Sequence, residues 1–212
     1  MAAGAVLWLH GLGDEGRSWK GAFSAVDRVV KDLRWEHPTA PEQEVSIQDG
    51  GITTSWFDIK TWPIGLKEPE GAAGIDKTVV AIHKMLDKIE ASGIPTEKII
   101  LGGFSQGGTV SVLAGLSYPK RLAGIVSISG WASYRKDLPA KVSEANKTVP
   151  CLYSAGVGDP VVLDELTKES ARILQDILGP NVTCIHAKRY DHFHCPEEQR
   201  AVEEFMIKTF GS

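Results

Sequence analysis

The stretch Ile99-Ile-Leu-Gly-Gly-Phe-Ser105-Gln-Gly-Gly-Thr-Val constrains the chain more than any other. A short apolar run reads as a buried strand, and the residues after Ser105 read as a helix, so the turn between them must be tight. Gly103 and Gly107 stand two positions either side of Ser105, where a side chain would block the helix from passing close to the strand. In such a strand-to-helix elbow the serine is held in a strained conformation, its hydroxyl above the sheet and its neighbour's N–H at a helix N-terminus. Ser105 is therefore a candidate nucleophile, and the Gln106 backbone N–H a candidate donor to a developing oxyanion.

The rest of the chain supplies a sheet for that elbow. Apolar and β-branched runs near 5–10, 34–37, 98–104, 122–130, 149–155 and 182–189 alternate with helical patterns near 18–33, 75–92, 106–117, 164–178 and 196–209. This alternation predicts an α/β fold with a mainly parallel sheet covered by helices on both faces. The second helical pattern is the clearest: Ile75, Val79, Ile82, Leu86 and Ile89 recur at spacings of three and four, and Gly93 and Pro95 end it. Residues 42–74 fit neither period yet carry Trp56, Phe57, Trp62, Ile64 and Leu66. Two roles are open to these side chains, lining a binding groove or plugging the loop onto the sheet.

A serine hydroxyl needs a base, and the base needs a carboxylate to orient it. In sheets with this elbow the partners follow in the order serine, acid, histidine. Asp159 comes after the strand-like run that begins at Cys151, and Asp191-His192-Phe-His194-Cys195 comes after the next. Both partners thus emerge at the sheet edge that presents Ser105. His192 and His194 point opposite ways if the chain there is extended, so only one reaches Ser105, and the residues alone leave the choice open. His186 within a strand, His83 within a helix and His37 before a proline read as structural or surface residues. The crowded Asp191, His192, His194 and Cys195 spacing matches no usual zinc pattern.

Two phosphate-binding readings compete and fail. Gly11-x-Gly13-x-x-Gly16 follows a strand, as in a dinucleotide site, but Asp14 and Glu15 would set two carboxylates beside a pyrophosphate. The same loop instead suits a second oxyanion donor after an early strand. In Gly102 to Thr109, Gly108 stands where a P-loop needs lysine.

Composition narrows the partners. The 212 residues are 42% hydrophobic with a net charge of −4, as for one globular domain spanning 1–212. No run of Lys or Arg offers a footprint for nucleic acid. No apolar stretch approaches the roughly 20 residues of a transmembrane helix, and the N-terminus lacks the basic region of a signal peptide. Three unpaired-looking cysteines, Cys151, Cys184 and Cys195, fit a reducing compartment, which predicts a cytoplasmic location.

Taken together, six motifs in order resemble the acyl-protein thioesterase and small carboxylesterase group of α/β-hydrolases. They are Leu9-His-Gly-Leu-Gly-Asp14, Ser55-Trp-Phe-Asp58, Gly102-Gly-Phe-Ser-Gln-Gly-Gly108, Ser129-Gly-Trp131, Gly158-Asp-Pro-Val-Val162 and His192-x-x-Cys195-x-Glu-Glu198. The resemblance implies the α/β-hydrolase fold, Ser105, Asp159 and His192 as a catalytic triad, and Leu12 and Gln106 N–H groups as the oxyanion hole. It favours His192 over His194 through the Cys195-Pro196-Glu-Glu register. It further implies acyl ester or thioester substrates, including S-acylated proteins and lysophospholipids, no metal or other cofactor, and an acyl groove lined with help from Trp131, Trp56 and Leu66. The sequence departs from the family in carrying Ala2 and Ala3 where some members have an acylated cysteine, Ala155 where His is usual, and a shorter run before His192. That shortened run admits a second reading, a catalytically weak or inactive acyl-binding or partner-binding protein on the same fold.

Overall fold

A computed structural model of the chain describes residues 2–188, 191–193 and 195–211. Six parallel strands form the central sheet: β1 (Gly4–Leu9), β2 (Leu33–Glu36), β5 (Ile99–Phe104), β6 (Gly124–Ile128), β7 (Cys151–Val157) and β8 (Val182–Lys188). They lie in the order β2-β1-β5-β6-β7-β8, and β3 (Glu42–Val45) pairs with β4 (Gly51–Thr54) as a separate antiparallel hairpin. The helices are α1 (Ser24–Val29), α2 (Ile75–Ala91), α3 (Gln106–Ser117), the single turn α4 (Leu138–Lys141), α5 (Asp164–Leu178) and α6 (Pro196–Phe210).

The alternation of each strand sorts its side chains between two cores. Along β1, Ala5, Leu7 and Leu9 face the layer of α2, α3 and α5, whereas Val6 and Trp8 face α1 and α6. Burial on both faces explains the near-continuous apolar runs of the central strands. The sheet is extended one way from β1 through α1 and the other way through α2, so the order reverses between β1 and β5. Open parallel sheets bind ligands beyond the strand ends at such a reversal. The loops after β1 and β5, bearing Leu12 and Ser105, meet there.

Two expectations about the elements need correction. The helical pattern over 18–33 is broken: a 3₁₀ turn covers Gly16–Trp19, Gly21 takes φ +80°, and only Ser24–Val29 is α-helical. Trp19 and Phe23 turn inward from these short pieces and pack around Trp8, with ring centroids 5.3 and 4.7 Å away. The segment 42–74 is not irregular throughout, because the β3–β4 hairpin opens it, with Asp49 and Gly50 at φ +52° and +79° in the turn. No helix among the described residues is long and apolar enough to cross a membrane.

The elbow depends on the absence of two side chains. A Cβ on Gly103 would lie 2.5 Å from the carbonyl carbon of Gly107, and one on Gly107 would lie 2.3 Å from the Leu9 carbonyl oxygen and 2.5 Å from that of His10. These neighbours are backbone atoms and cannot swing aside. Gly107→Ala should therefore shift α3 off β1, with a loss of roughly 2–3 kcal/mol in unfolding free energy. Denaturant unfolding of the variant measures this.

Candidate active site

Ser105 closes β5 with φ 53° and ψ −119°, a conformation that L-residues rarely adopt. Such a residue costs on the order of 1–3 kcal/mol and persists only where its surroundings over-determine it. Here the Ser105 N–H donates to the Ile128 carbonyl at 2.7 Å, its own carbonyl accepts from the Thr109 N–H at 3.0 Å, and the glycine contacts fix the helix against the sheet.

From this elbow a line of hydrogen bonds runs through three loops. The Ser105 hydroxyl lies 2.7 Å from His192 Nε2, and His192 Nδ1 lies 2.8 Å from Asp159 Oδ2. The other Asp159 oxygen accepts from the Val161 and Val162 N–H groups at 2.8 and 3.1 Å. Burial by itself pushes the Asp159 carboxyl up. The hydrogen bond and charge of His192, together with the two backbone donors, outweigh burial and hold it below the usual carboxylate value. Asp159 reaches this position because Gly158, at φ +82°, turns the chain sharply at the end of β7.

His192 has its own support. The Ser129 hydroxyl donates to its carbonyl at 3.3 Å, and the Phe104 ring lies 5.0 Å from the imidazole. Six residues on, Glu198 caps α6 by accepting from the Cys195 N–H at 3.0 Å and ties the helix to β7 by accepting from the Ser154 hydroxyl at 2.6 Å. Sequence reasoning did not single out Ser129, Ser154 or Glu198 as supports, although Ser129-Gly-Trp131 and the Glu-Glu pair belong to quoted motifs. The shortened run before His192 thus still delivers the imidazole to Ser105. His194 lies outside the described residues. His83 sits on α2 with Nε2 2.9 Å from the Ala114 carbonyl, and His37 stacks on Trp35 with centroids 5.7 Å apart.

The serine opens into a cavity of about 510 Å³. Leu12 and Asp14 form one side, and Ile47, Ile59, Trp62, Ile64, Phe104, Val161 and Phe193 give an apolar wall. Trp62 and Phe193 stand at its mouth, 60% and 71% exposed. Among the described residues, neither the Leu12 nor the Gln106 backbone N–H donates to a protein acceptor.

The expectation that Trp131, Trp56 and Leu66 line this groove gives way to a different lining. Trp131 is buried with its ring 5.9 Å from Phe57, and Trp56 is buried with its indole N–H on the His10 carbonyl at 2.9 Å. Leu66 is exposed on a separate surface groove with Arg135, Glu165 and Ile173. Trp56 is held in the core by its indole bond to the His10 backbone, and Trp131 by its backbone N–H on the Thr109 hydroxyl at 3.0 Å and its packing on Phe57.

The family model for phospholipases and carboxylesterases matches residues 1–210. The chain belongs to the phospholipase/carboxylesterase family. It is thereby a member of a hydrolase family with the α/β-hydrolase fold. A rice (Oryza sativa subsp. japonica) protein named as a probable carboxylesterase is 39% identical over 81% of this chain, a match that spans 65% of the rice protein. Acyl-protein thioesterase 1 of Schizosaccharomyces pombe is 37% identical over 80% of the chain and 74% of its own length. Arabidopsis thaliana SOBER1 superposes with a TM-score of 0.88 at 28% identity, covering 97% of this chain and 98% of that one. Zea mays acyl-protein thioesterase 2 gives 0.83 at 26% identity, over 100% and 95%.

The held-down pKa of Asp159 fixes the sign of a pH effect. A carboxyl with a lowered folded-state pKa stabilises the fold above its unfolded value of 3.8, and that contribution disappears as pH falls through the folded value. Asp159→Asn should be less stable than the parent at neutral pH by on the order of 1–2 kcal/mol. The gap should narrow as unfolding is measured at progressively lower pH below about 4.

Proposed function

We propose that the protein hydrolyses carboxylic esters and acyl thioesters through a Ser105–His192–Asp159 triad and an acyl-enzyme intermediate. The observation that carries this reading is the hydrogen-bonded line from the Ser105 hydroxyl through both imidazole nitrogens to the buried Asp159 carboxylate, opening on an apolar cavity.

Ser105 Oγ attacks the acyl carbon as His192 Nε2 takes its proton. Asp159 fixes the tautomer and stabilises the imidazolium. The Leu12 and Gln106 N–H groups receive the oxyanion, each donor worth roughly 3 kcal/mol in comparable enzymes. Collapse of the tetrahedral adduct breaks the ester or thioester bond, and His192 gives its proton to the departing oxygen or sulfur. Water, deprotonated by the same imidazole, then releases the carboxylic acid and restores the serine. His192 serves as both base and acid, and no cofactor enters the scheme.

The apolar wall of Ile47, Ile59, Ile64 and Val161 suits an acyl chain, with Trp62 and Phe193 placed to meet the leaving portion at the mouth. The substrate classes that the names of the relatives suggest, S-acylated proteins among them, and the lysophospholipids that the family resemblance implies fit that shape. A cytoplasmic setting agrees with three free cysteines.

Ser105→Ala should lower kcat by about 10⁴-fold or more while the protein still folds, leaving only the catalysis due to the oxyanion donors and binding. A fluorophosphonate should label the parent at Ser105 and leave the variant unlabelled. Turnover that survives the substitution would overturn Ser105 as the nucleophile, whereas a well-folded parent that neither turns over nor takes the reagent would favour a binding protein over a hydrolase.

A further inference from the structure

Two N–H donors stabilise one oxyanion only if their separation is fixed, and here they come from loops nearly a hundred residues apart in the chain. Both loops are held by the same run, Thr54 to Phe57, which leaves β4. Toward the loop after β1, the Thr54 carbonyl accepts from the Gly13 N–H at 2.8 Å and its hydroxyl donates to the Asp14 carbonyl at 2.7 Å. The Trp56 indole N–H donates to the His10 carbonyl at 2.9 Å. Toward the elbow, the buried Gln106 amide accepts from the Trp56 N–H at 2.9 Å and donates to the Ser55 hydroxyl at 2.8 Å and the Phe57 carbonyl at 2.6 Å. The run is in turn tied to α2 through a hydrogen bond from the Thr78 hydroxyl to the Trp56 carbonyl.

We infer that Thr54–Phe57 is a brace that sets the positions of both oxyanion donors, with Trp56 as the positioning residue that joins the two loops. The inference rests on the hydrolase reading given above.

Peptide geometry shows how the brace reaches the Leu12 N–H. The Ala40 N–H donates to His10 Nε2 at 2.9 Å, so that nitrogen carries a lone pair and the ring proton sits on Nδ1, 2.6 Å from the Gly11 carbonyl. The Asp14 N–H donates to the same carbonyl at 3.3 Å. In a trans peptide the C=O and the next N–H point opposite ways, so anchoring the Gly11 oxygen aims the Leu12 N–H away from it. Trp56 holds the carbonyl of the residue whose ring makes that anchor and lies against the ring itself, centroids 5.2 Å apart. At the other end it holds the side chain of the residue that supplies the second donor. Simple packing would require apolar contact only. Instead the hydrogen bonds from Thr54, the Trp56 indole and the Gln106 amide all fall on, or within two residues of, a residue that supplies a donor.

The test uses the full chain with a p-nitrophenyl ester and a trifluoromethyl ketone, which adds to the serine and leaves its oxyanion in the donor site. Trp56→Phe removes the indole N–H and keeps a ring; kcat should fall about 10- to 100-fold with KM within about twofold of the parent. The inhibition constant of the ketone should rise by the same factor as kcat/KM falls, a parallel that a merely structural residue would not produce. Thr54→Val, which deletes one hydroxyl, should lower kcat about threefold and carries the test alone if Trp56→Phe does not fold. A folded Trp56→Phe with parental kcat, or a loss confined to KM with unchanged ketone affinity, overturns the brace while a fluorophosphonate-labelled parent keeps the hydrolase reading intact. A parent that neither turns over nor labels overturns both.

Discussion

The close approach of α3 to the end of β1 is the constraint on which the rest of the molecule depends. Gly107 rests against the Leu9 and His10 carbonyl oxygens, and Gly103 rests against Gly107. No side chain fits between them, so the chain must reverse within one residue, and Ser105 takes up the strain of that reversal. The same approach brings the loop after β1 beside the serine, so a backbone donor from each lies at one end of the sheet. The backbone strain at Ser105 and the nearness of the two loops have a single cause.

Around that point, charge is placed so that the buried carboxylate stays ionised. Asp159 is deep enough for burial to favour its neutral form, and the Val161 and Val162 N–H groups with His192 reverse the balance. An ionised Asp159 makes Nδ1 the protonated nitrogen of a neutral imidazole, which leaves Nε2 free to accept from the serine. The geometry at Ser105 therefore depends on two backbone N–H groups on the far side of the carboxylate.

How much of this was legible in the sequence follows from what each kind of signal encodes. The central strands could be read because burial on both faces leaves continuous apolar runs, and the turn at Ser105 because only glycine fits beside it. Asp159 and His192 could be nominated because chain order and strand ends restrict where partners emerge, although two histidines two residues apart needed the family register to separate them. The extent of the first helix was misread because Gly21 interrupts an amphipathic pattern whose aromatic residues, Trp19 and Phe23, face inward from short turns. The β3–β4 hairpin escaped because its strands are short and only Val45 of them is buried. Trp56 and Trp131 show a different limit: residue type says that a large ring will be covered, but not whether protein or ligand covers it. Contacts with residues distant in the chain decide that, the His10 carbonyl for Trp56 and Thr109 and Phe57 for Trp131, and such contacts have no local pattern.

The unequal burial of the strands has a consequence for how the molecule fails. Every residue of β5 is buried, whereas β8, at the sheet edge, buries only Ala187. The serine is mounted on a fully buried strand, and the imidazole follows a largely uncovered one at the sheet edge. Regions with little buried apolar surface open at lower free energy than the whole domain. On warming, the His192 imidazole should part from the Ser105 hydroxyl before the sheet melts, so any chemistry carried by that pair would fall silent while most backbone structure is still intact.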